Sequence, residues 1–191
     1  MNVRNAHRLP KTGPAIIVAN HNSHLDTLVL MSLFPLKTLH SVRPVAAADY
    51  FMRNQYSKWF FLKIIGCISF QRTITKTNTA IFAGVFEALD RRSILILFPE
   101  GTRGDPEQLG EFKHGISRIV EARPEITVVP VFLHGLGRAL PKNDWVLVPF
   151  FCDVFIGNAL VWNHDRKKYI DQLNTVMLEL AAKGNFPKWD V

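Results

Sequence analysis

The chain has 191 residues, of which 48% are hydrophobic and 20% are charged. This length predicts one domain, and the composition excludes a largely disordered chain because it supplies enough apolar side chains for a core. The net charge of +7 favours anionic partners, namely phosphorylated substrates, an acidic membrane surface or nucleic acid. The sequence has no apolar run of the roughly 18–20 residues that cross a bilayer, and its basic N-terminus lacks the apolar centre of a signal peptide.

Predicted strands and helices alternate along the chain. An apolar run predicts a strand at 15–19, and a helix follows at 26–33 and ends near Pro35. Further strands are predicted at 42–47, 67–70, 94–98, 128–133, 146–148 and 154–156, and further helices at 79–89, 111–122 and 166–183. Pro130, inside a strand, predicts an edge position or a bend. The alternation predicts an α/β fold with a mostly parallel central sheet flanked by helices, and the closely spaced late strands predict an antiparallel edge.

A histidine and a carboxylate meet where the first strand turns into the first helix, in the segment Asn-His-Asn-Ser-His-Leu-Asp at 20–26. Ligands of α/β proteins bind at the carboxyl ends of strands, and an imidazole held by a carboxylate can remove a proton from an alcohol near neutral pH. Five positions correspond to about 500° of helix. His21 and Asp26 can therefore meet only if His21 lies in the turn and Asp26 in the first helical turn. The segment predicts chemistry on a hydroxyl group.

Two other interpretations of this segment stay open. Ser23 and Asp26 have the spacing of a capping box, in which Asp26 would be a structural residue at the start of the helix. His21, His24 and Asp26 are also potential metal ligands, but the sequence has neither the H-E-x-x-H pattern nor a clear cluster of partners downstream. We interpret His24 as structural and expect no metal ion.

A second candidate site, Phe-Pro-Glu-Gly-Thr-Arg-Gly at 98–104, directly follows a predicted strand. Its glycines let the backbone approach a ligand closely, and Arg103 can hold a phosphate through two hydrogen bonds. The segment matches neither the P-loop pattern nor the dinucleotide-binding pattern, and an ordinary surface turn is the structural alternative. Arg72, which also follows a predicted strand, would lie at the same edge of the sheet, although a single arginine there is usually a solvated charge.

Together these segments resemble the phospholipid/glycerol acyltransferase family, the group of 1-acyl-sn-glycerol-3-phosphate acyltransferases. Four blocks match that family's motifs in its order: N-H-x-x-x-x-D at 20–26, a glycine-to-arginine block at 66–72, F-P-E-G-T-R at 98–103 and an apolar block around a proline at 129–131. The first and third blocks are specific, and the other two are loose. The resemblance covers residues 13–160.

The resemblance implies transfer of an acyl group from acyl-CoA or acyl carrier protein to the free hydroxyl of a lysophospholipid, most simply 1-acyl-sn-glycerol-3-phosphate, which gives phosphatidic acid. His21 would be the general base, and Asp26 would orient it. The acceptor site would consist of Arg72, Glu100, Gly101, Thr102 and Arg103. The two arginines would bind the phosphate, and Glu100 would hold the glycerol or orient Arg103. The thioester is a co-substrate, and no cofactor is implied. Glycerol 3-phosphate, another lysophospholipid or a lyso-aminolipid are alternative acceptors.

The length predicts a single acyltransferase domain over residues 1–191, with a C-terminal helical segment at 161–191. The resemblance implies a location at the cytoplasmic face of a membrane. In the family a helical segment usually precedes the first motif and docks on the membrane. Here nineteen residues precede Asn20 and contain no such helix. Either such a helical segment is missing from this sequence, or the chain docks by another surface. For that surface the basic and aromatic segment 49–65 is the candidate on anionic lipid, with a core helix as the alternative.

Two hypotheses of other classes remain. One is a non-catalytic module that binds a lipid or an acyl thioester, and the presence of both His21 and Asp26 argues against it. The other is nucleic-acid binding, which rests on charge alone. The sequence shows no zinc-finger or helix-turn-helix signature, so we expect no nucleic-acid partner.

Overall fold

The computed structural model describes residues 1–23, 25–47, 59, 65–70, 81–104, 108–139 and 151–184. Some predicted features lie outside these residues: His24, Arg72, most of segment 49–65, the start of the 79–89 helix and the 146–148 strand. Of the helices in the described ranges, none combines the length and apolarity that crossing a membrane requires.

Seven strands in the described part of the chain form one sheet, in the order β1-β7-β6-β2-β5-β3-β4. They are β1 (Asn2–Arg4), β2 (Ala15–Ala19), β3 (Val42–Ala47), β4 (Ile68–Phe70), β5 (Ile94–Leu97), β6 (Thr127–His134) and β7 (Asp153–Ile156). Neighbouring strands are parallel except for the antiparallel pair β6 and β7. The predicted α/β fold with a mostly parallel sheet is confirmed.

Helices cover both faces of the sheet. They are α1 (Asp26–Ser32), α2 (Ala83–Asp90), α3 (Gly115–Ala122), α4 (Leu136–Ala139) and α5 (Arg166–Ala182), with short 3-10 helices at Ala6–Arg8 and Leu36–Ser41. Successive residues of β2 alternate between two hydrophobic clusters. Ile16 and Val18 belong to the cluster under α2, α3 and α5, whereas Ile17 and Ala19 belong to the cluster under α1. A strand buried on both faces needs apolar residues at every position, which explains the continuous apolar run.

Two edge positions expected for the late strands were wrong. β7 is antiparallel to β6 as predicted, but it is not the edge, because β1 pairs with its other side. Pro130 is also interior, since β6 lies between β7 and β2. Its missing N–H falls where the pairing with β7 ends, and there the N–H of Gly157 donates to the Pro130 carbonyl at 2.8 Å. The Pro130 carbonyl therefore keeps its ladder bond to Gly157, whereas the bond that an N–H at this position would donate is lost.

The helix predicted at 111–122 begins later, at Gly115. The residues before it are tied to the third motif instead, because the N–H of Lys113 donates to the Pro99 carbonyl at 2.9 Å. The side-chain amide of Asn22 donates to the Gln108 carbonyl at 3.1 Å, which ties the same segment to the first motif. Residues 108–113 therefore bridge the two motifs rather than extending the helix.

Candidate active site

The two candidate motifs lie side by side at one edge of the sheet. β2 and β5 are parallel neighbours, with Val18 opposite Leu97, so residues 20–26 and 98–104 leave the sheet at the same end. The N–H of Gly104 donates to the His21 carbonyl at 2.9 Å. The N–H of His21 donates to Oε1 of Glu100 at 3.1 Å across a separation of 79 residues. Both backbone groups of His21 are thus held by the third motif.

The side chains of His21 and Asp26 do meet. Nδ1 of His21 lies 2.8 Å from Oδ2 of Asp26, and the Asp26 side chain is 1% exposed while that of His21 is 21% exposed. Because a carboxylate can only accept, Nδ1 carries the proton and Nε2 presents its lone pair. Among the described residues Nε2 has no hydrogen-bond partner. The pair therefore leaves Nε2 as the ring nitrogen that can accept a proton, on a side chain that is partly exposed.

Asp26 also bonds the backbone of the turn that precedes α1. Its Oδ2 accepts from the N–H of Asn22 at 2.7 Å and from the N–H of Ser23 at 2.8 Å, and the second bond has the spacing of the reach-back bond of a capping box. The capping box is not complete, because α1 begins at Asp26 itself, with Leu25 as its N-cap and no side-chain cap bond. One oxygen therefore receives three donors, while Oδ1 has no partner among the described residues. The same carboxylate thus holds the turn before α1 and orients His21.

Asn20 joins the end of β2 to β6 through its side chain. Its Nδ2 donates to the Leu133 carbonyl at 2.9 Å, and its Oδ1 accepts from the Leu133 N–H at 2.7 Å. Asn20 is only 2% exposed. The amide therefore continues the ladder where the backbone of β2 leaves the sheet for the turn. Sequence reasoning matched Asn20 to the motif but assigned it no role, because its partner is distant in sequence.

We expect Asn20→Ala to lower the free energy of unfolding by about 2–3 kcal/mol, because the buried N–H and C=O of Leu133 lose their partners. Urea denaturation followed by circular dichroism measures this change. Asn163→Ala removes an exposed asparagine and should change stability by less than about 0.5 kcal/mol. Equal changes in the free energy of unfolding for the two substitutions would show that the hydrogen bonds of Asn20 to Leu133 add no stability.

Phe98 packs flat against the imidazole. The ring centroids of His21 and Phe98 are 4.1 Å apart, with an interplanar angle of 18°. Stacking limits rotation of the imidazole, and the bond to Asp26 fixes its tilt. Phe98 belongs to the third motif, but sequence reasoning gave it no role. The available signal was an aromatic residue directly after the strand next to β2.

Glu100 is buried between the two motifs, with 5% of its surface exposed. Burial is the largest effect and raises the pKa of Glu100 to about 7. The N–H groups of His21 and Gly110 act in the opposite direction, and the charge of Asp26 adds to the rise. The Glu100 carboxyl group therefore connects the third motif to the His21 turn and to the segment around Gly110.

The rest of the third motif forms a tight turn beside a groove. Gly101 has a φ of +74°, in the left-handed region that glycine adopts without strain, and its N–H donates to the Phe98 carbonyl at 3.1 Å. Thr102 and Gly104 line a groove of about 390 Å³ that continues along residues 110–114. Arg103 is half-buried. The structure thus gathers Glu100, Gly101, Thr102 and Arg103 near His21, whereas Arg72 lies outside the described residues.

Within the ranges that the structure describes, no group of three or more histidine, cysteine, aspartate or glutamate side chains is placed to hold a metal ion. Cys67 and Cys152 are both buried and form no disulfide.

A family model described as Acyltransferase matches residues 1–134, well over half of the chain. The chain belongs to the acyltransferase family. The resemblance inferred from the four motifs is thereby confirmed, and the expectation of an acyltransferase is confirmed at the level of the family.

Relatives in the acyltransferase family carry related names. The chain is 29% identical over 150 residues to the chloroplastic 1-acyl-sn-glycerol-3-phosphate acyltransferase LPAT1 of Arabidopsis thaliana, covering 75% of this chain and 38% of that protein. It is 28% identical over 171 residues to the protein named taffazin of Dictyostelium discoideum, covering 83% and 59%. It is 26% identical over 143 residues to the alpha 1-acyl-sn-glycerol-3-phosphate acyltransferase of Mus musculus, covering 74% and 48%. The chain thus spans about 38–59% of the length of these relatives.

The fold matches a solved acyltransferase. The crystal structure of the 1-acyl-sn-glycerophosphate acyltransferase PlsC from Thermotoga maritima superposes with a TM-score of 0.77 and 19% sequence identity. The match covers 100% of this chain and 73% of that one. At this identity the likeness establishes the acyltransferase fold.

Proposed function

We propose that this chain transfers a fatty acyl group from acyl-CoA or acyl carrier protein to the free hydroxyl of a lysophospholipid, most simply 1-acyl-sn-glycerol-3-phosphate, giving phosphatidic acid. The observation that carries the proposal is the His21–Asp26 pair, which lies beside the F-P-E-G-T-R turn at the carboxyl ends of β2 and β5. Nε2 of His21 has no hydrogen-bond partner in the part of the chain that the structure describes. Membership of the acyltransferase family supports it, and so do the names of the relatives.

In the proposed mechanism, Nε2 of His21 takes the proton of the acceptor hydroxyl while its oxygen attacks the thioester carbonyl carbon. The tetrahedral intermediate collapses, the carbon–sulfur bond breaks, and the thiolate leaves and takes the proton from the imidazolium. Asp26 holds the productive tautomer and stabilises the imidazolium charge. The hydroxyl attacks directly, so no covalent acyl-enzyme forms.

The tetrahedral oxyanion needs hydrogen-bond donors, and backbone N–H groups of the two turns are candidates. Several of these already have acceptors inside the protein: His21, Asn22, Ser23, Gly101 and Gly104. Those N–H groups stabilise the turns and do not point to a free acceptor. We therefore propose that other donors of the site bind the oxyanion.

For the acceptor site we propose the turn of the third motif, where Gly101 and Thr102 allow close approach and Arg103 binds the phosphate together with Arg72. The net charge of +7 suits an anionic acceptor, an anionic thioester and an anionic membrane surface. We place the protein peripherally at the cytoplasmic face, with segment 49–65 in contact with lipid. Trp59 of that segment supports this, because it is 59% exposed.

We further propose that residues 1–191 form one domain without a cofactor or metal ion. Support comes from contacts between the two ends of the chain. β1 pairs with β7, with Asn2 opposite Asp153, and α5 packs against β6. The described part of the segment 161–191, up to residue 184, supports this, because α5 lies within it.

Thiol release tests the function. Purified protein is mixed with acyl-CoA or acyl carrier protein thioester and with one of three acceptors: lysophosphatidic acid, glycerol 3-phosphate or lysophosphatidylcholine. Release that requires lysophosphatidic acid and yields phosphatidic acid supports the proposal. Release only with another acceptor would reassign the substrate. Protein that binds vesicles and thioester but releases no thiol would point to the non-catalytic module.

We expect Arg103→Ala to raise the KM for lysophosphatidic acid roughly 10- to 100-fold, because a charge-assisted contact to phosphate is lost. The KM for the thioester should change less than about two-fold. Arg91→Ala is the matched control, because Arg91 is exposed at the amino end of β5, opposite the site. An equal rise in both KM values would move Arg103 out of the acceptor site.

A further inference from the structure

The Glu100 carboxyl group lies where three chain segments meet. Its own segment is the third motif, its Oε1 accepts from the N–H of His21 at 3.1 Å, and its Oε2 lies against Gly110. The third motif also holds the other backbone group of His21, through the bond from Gly104 at 2.9 Å. The catalytic turn is thus anchored at His21 from two positions of the same motif.

Glu100 is one of the residues that line the groove beside Thr102 and Gly104, but its Oε2 is packed closely against two glycines. A Cβ placed on Gly110 would lie 2.8 Å from Oε2, and one placed on Gly104 would lie 3.2 Å from it. Two glycines therefore form a cradle that fits the carboxyl group closely. With only 5% of the residue exposed, a substrate would have little carboxylate surface to contact.

We propose that Glu100 is a positioning residue for His21 rather than a ligand of the acceptor, and that it acts by holding the His21 backbone so that Nε2 faces the acceptor hydroxyl. This inference rests on the proposed acyl transfer. It assigns two different roles to the four acceptor-site candidates of the third motif. Arg103, with Gly101 and Thr102, faces the acceptor, and Glu100 faces the base.

The inference predicts a kinetic signature. Glu100→Ala frees the N–H of His21, and the resulting misplacement of the ring should lower kcat about 100-fold while the KM for lysophosphatidic acid stays within about three-fold. Glu100→Gln keeps an oxygen for that N–H and should lose much less activity than Glu100→Ala. Gly110→Ala should lower kcat without touching Glu100 itself, because its Cβ displaces the carboxyl group. Glu125→Ala is the matched control, since Glu125 is an exposed carboxylate just before β6, at the opposite end of the sheet, and should behave as wild type.

The opposite pattern overturns the inference. A rise of about ten-fold or more in the KM for lysophosphatidic acid, with kcat preserved, would place Glu100 in contact with the acceptor. Equal activity of the Glu100→Ala and Glu125→Ala variants would show that Glu100 does not position His21.

Hydrogen exchange tests the same inference without activity. In Glu100→Ala the amide of His21 should exchange at least about ten-fold faster than in the wild type, while the amide of Ile17 in β2 keeps its protection. Global destabilisation would accelerate both amides. Unchanged exchange at His21 overturns the positioning role. If the wild-type chain transfers no acyl group to any acceptor, the proposed function fails, and exchange at His21 still decides whether Glu100 holds the turn.

The pH dependence of stability tests whether the Glu100 carboxyl group is buried, as the inference requires. Burial raises the pKa of Glu100 to about 7 from its ordinary value of 4.5, so between these values the folded chain binds a proton that the unfolded chain releases. The wild type should therefore lose stability relative to Glu100→Gln as the pH rises from about 4.5 to about 7. Parallel stability curves for the two proteins would show that Glu100 is solvated, and that would also overturn the inference.

Discussion

His21→Ala should lower the rate of acyl transfer by about 10²–10⁴-fold, the usual contribution of a general base. The variant removes the nitrogen that takes the acceptor proton, and the lysophospholipid hydroxyl is a weak nucleophile without it. The fold should change little, because the His21 side chain lies at the surface of the sheet edge and its backbone bonds to Glu100 and Gly104 remain possible. Thiol release with acyl-CoA or acyl carrier protein thioester measures the effect.

His40→Ala is the matched control for this loss. His40 is exposed and precedes β3, at the amino end of the sheet, whereas His21 lies at the carboxyl end. Its activity should equal that of the wild type. Vesicle binding should be the same for both variants and the wild type, which separates lost chemistry from lost docking. Retained turnover in His21→Ala would remove His21 as the base.

Asp26→Asn should lower kcat about 100-fold or more while leaving the protein folded. The three donors on Asp26 converge on Oδ2, so an asparagine oxygen placed there can keep all three bonds. What it lacks is the negative charge that stabilises the imidazolium in the transition state. Thiol release at saturating substrate concentrations measures kcat, and urea denaturation of the same sample measures the free energy of unfolding.

Asp26→Ala separates the two roles of this carboxylate. It removes the charge and also the bonds to the N–H groups of Asn22 and Ser23, so it should lower stability by about 1–2 kcal/mol in addition to activity. We therefore expect Asp26→Asn to lower activity alone, and Asp26→Ala to lower both activity and stability. Full activity of Asp26→Asn would show that Asp26 serves only to start α1.

The sequence predicted best the elements whose pattern is local. β2 and β5 were located to within a residue, because strands buried on both faces consist of consecutive apolar residues. α5 was also predicted closely, and its Asp165 N-cap accepts from the N–H of Lys168 at 3.0 Å. These signals depend on residues a few positions apart, which a single sequence displays directly.

Elements that depend on distant contacts were missed. β1 has three residues and a mostly exposed pattern, and it forms a strand because it pairs with β7 at the far end of the chain. α3 starts late because Lys113 bonds to Pro99 rather than continuing a helix. No local pattern reports whether a backbone N–H finds its acceptor in its own helix or in another segment.

The sequence by itself determined which chemistry is available: a histidine and a carboxylate five positions apart, and the F-P-E-G-T-R turn after a second strand. Only the tertiary structure decided how these parts combine. It made β2 and β5 neighbours, stacked Phe98 on His21, clamped Asn20 to Leu133, and buried Glu100 against the His21 backbone. The physical reason is that burial and hydrogen-bond partners are set by segments 79 to 113 residues away, which meet only when the sheet forms.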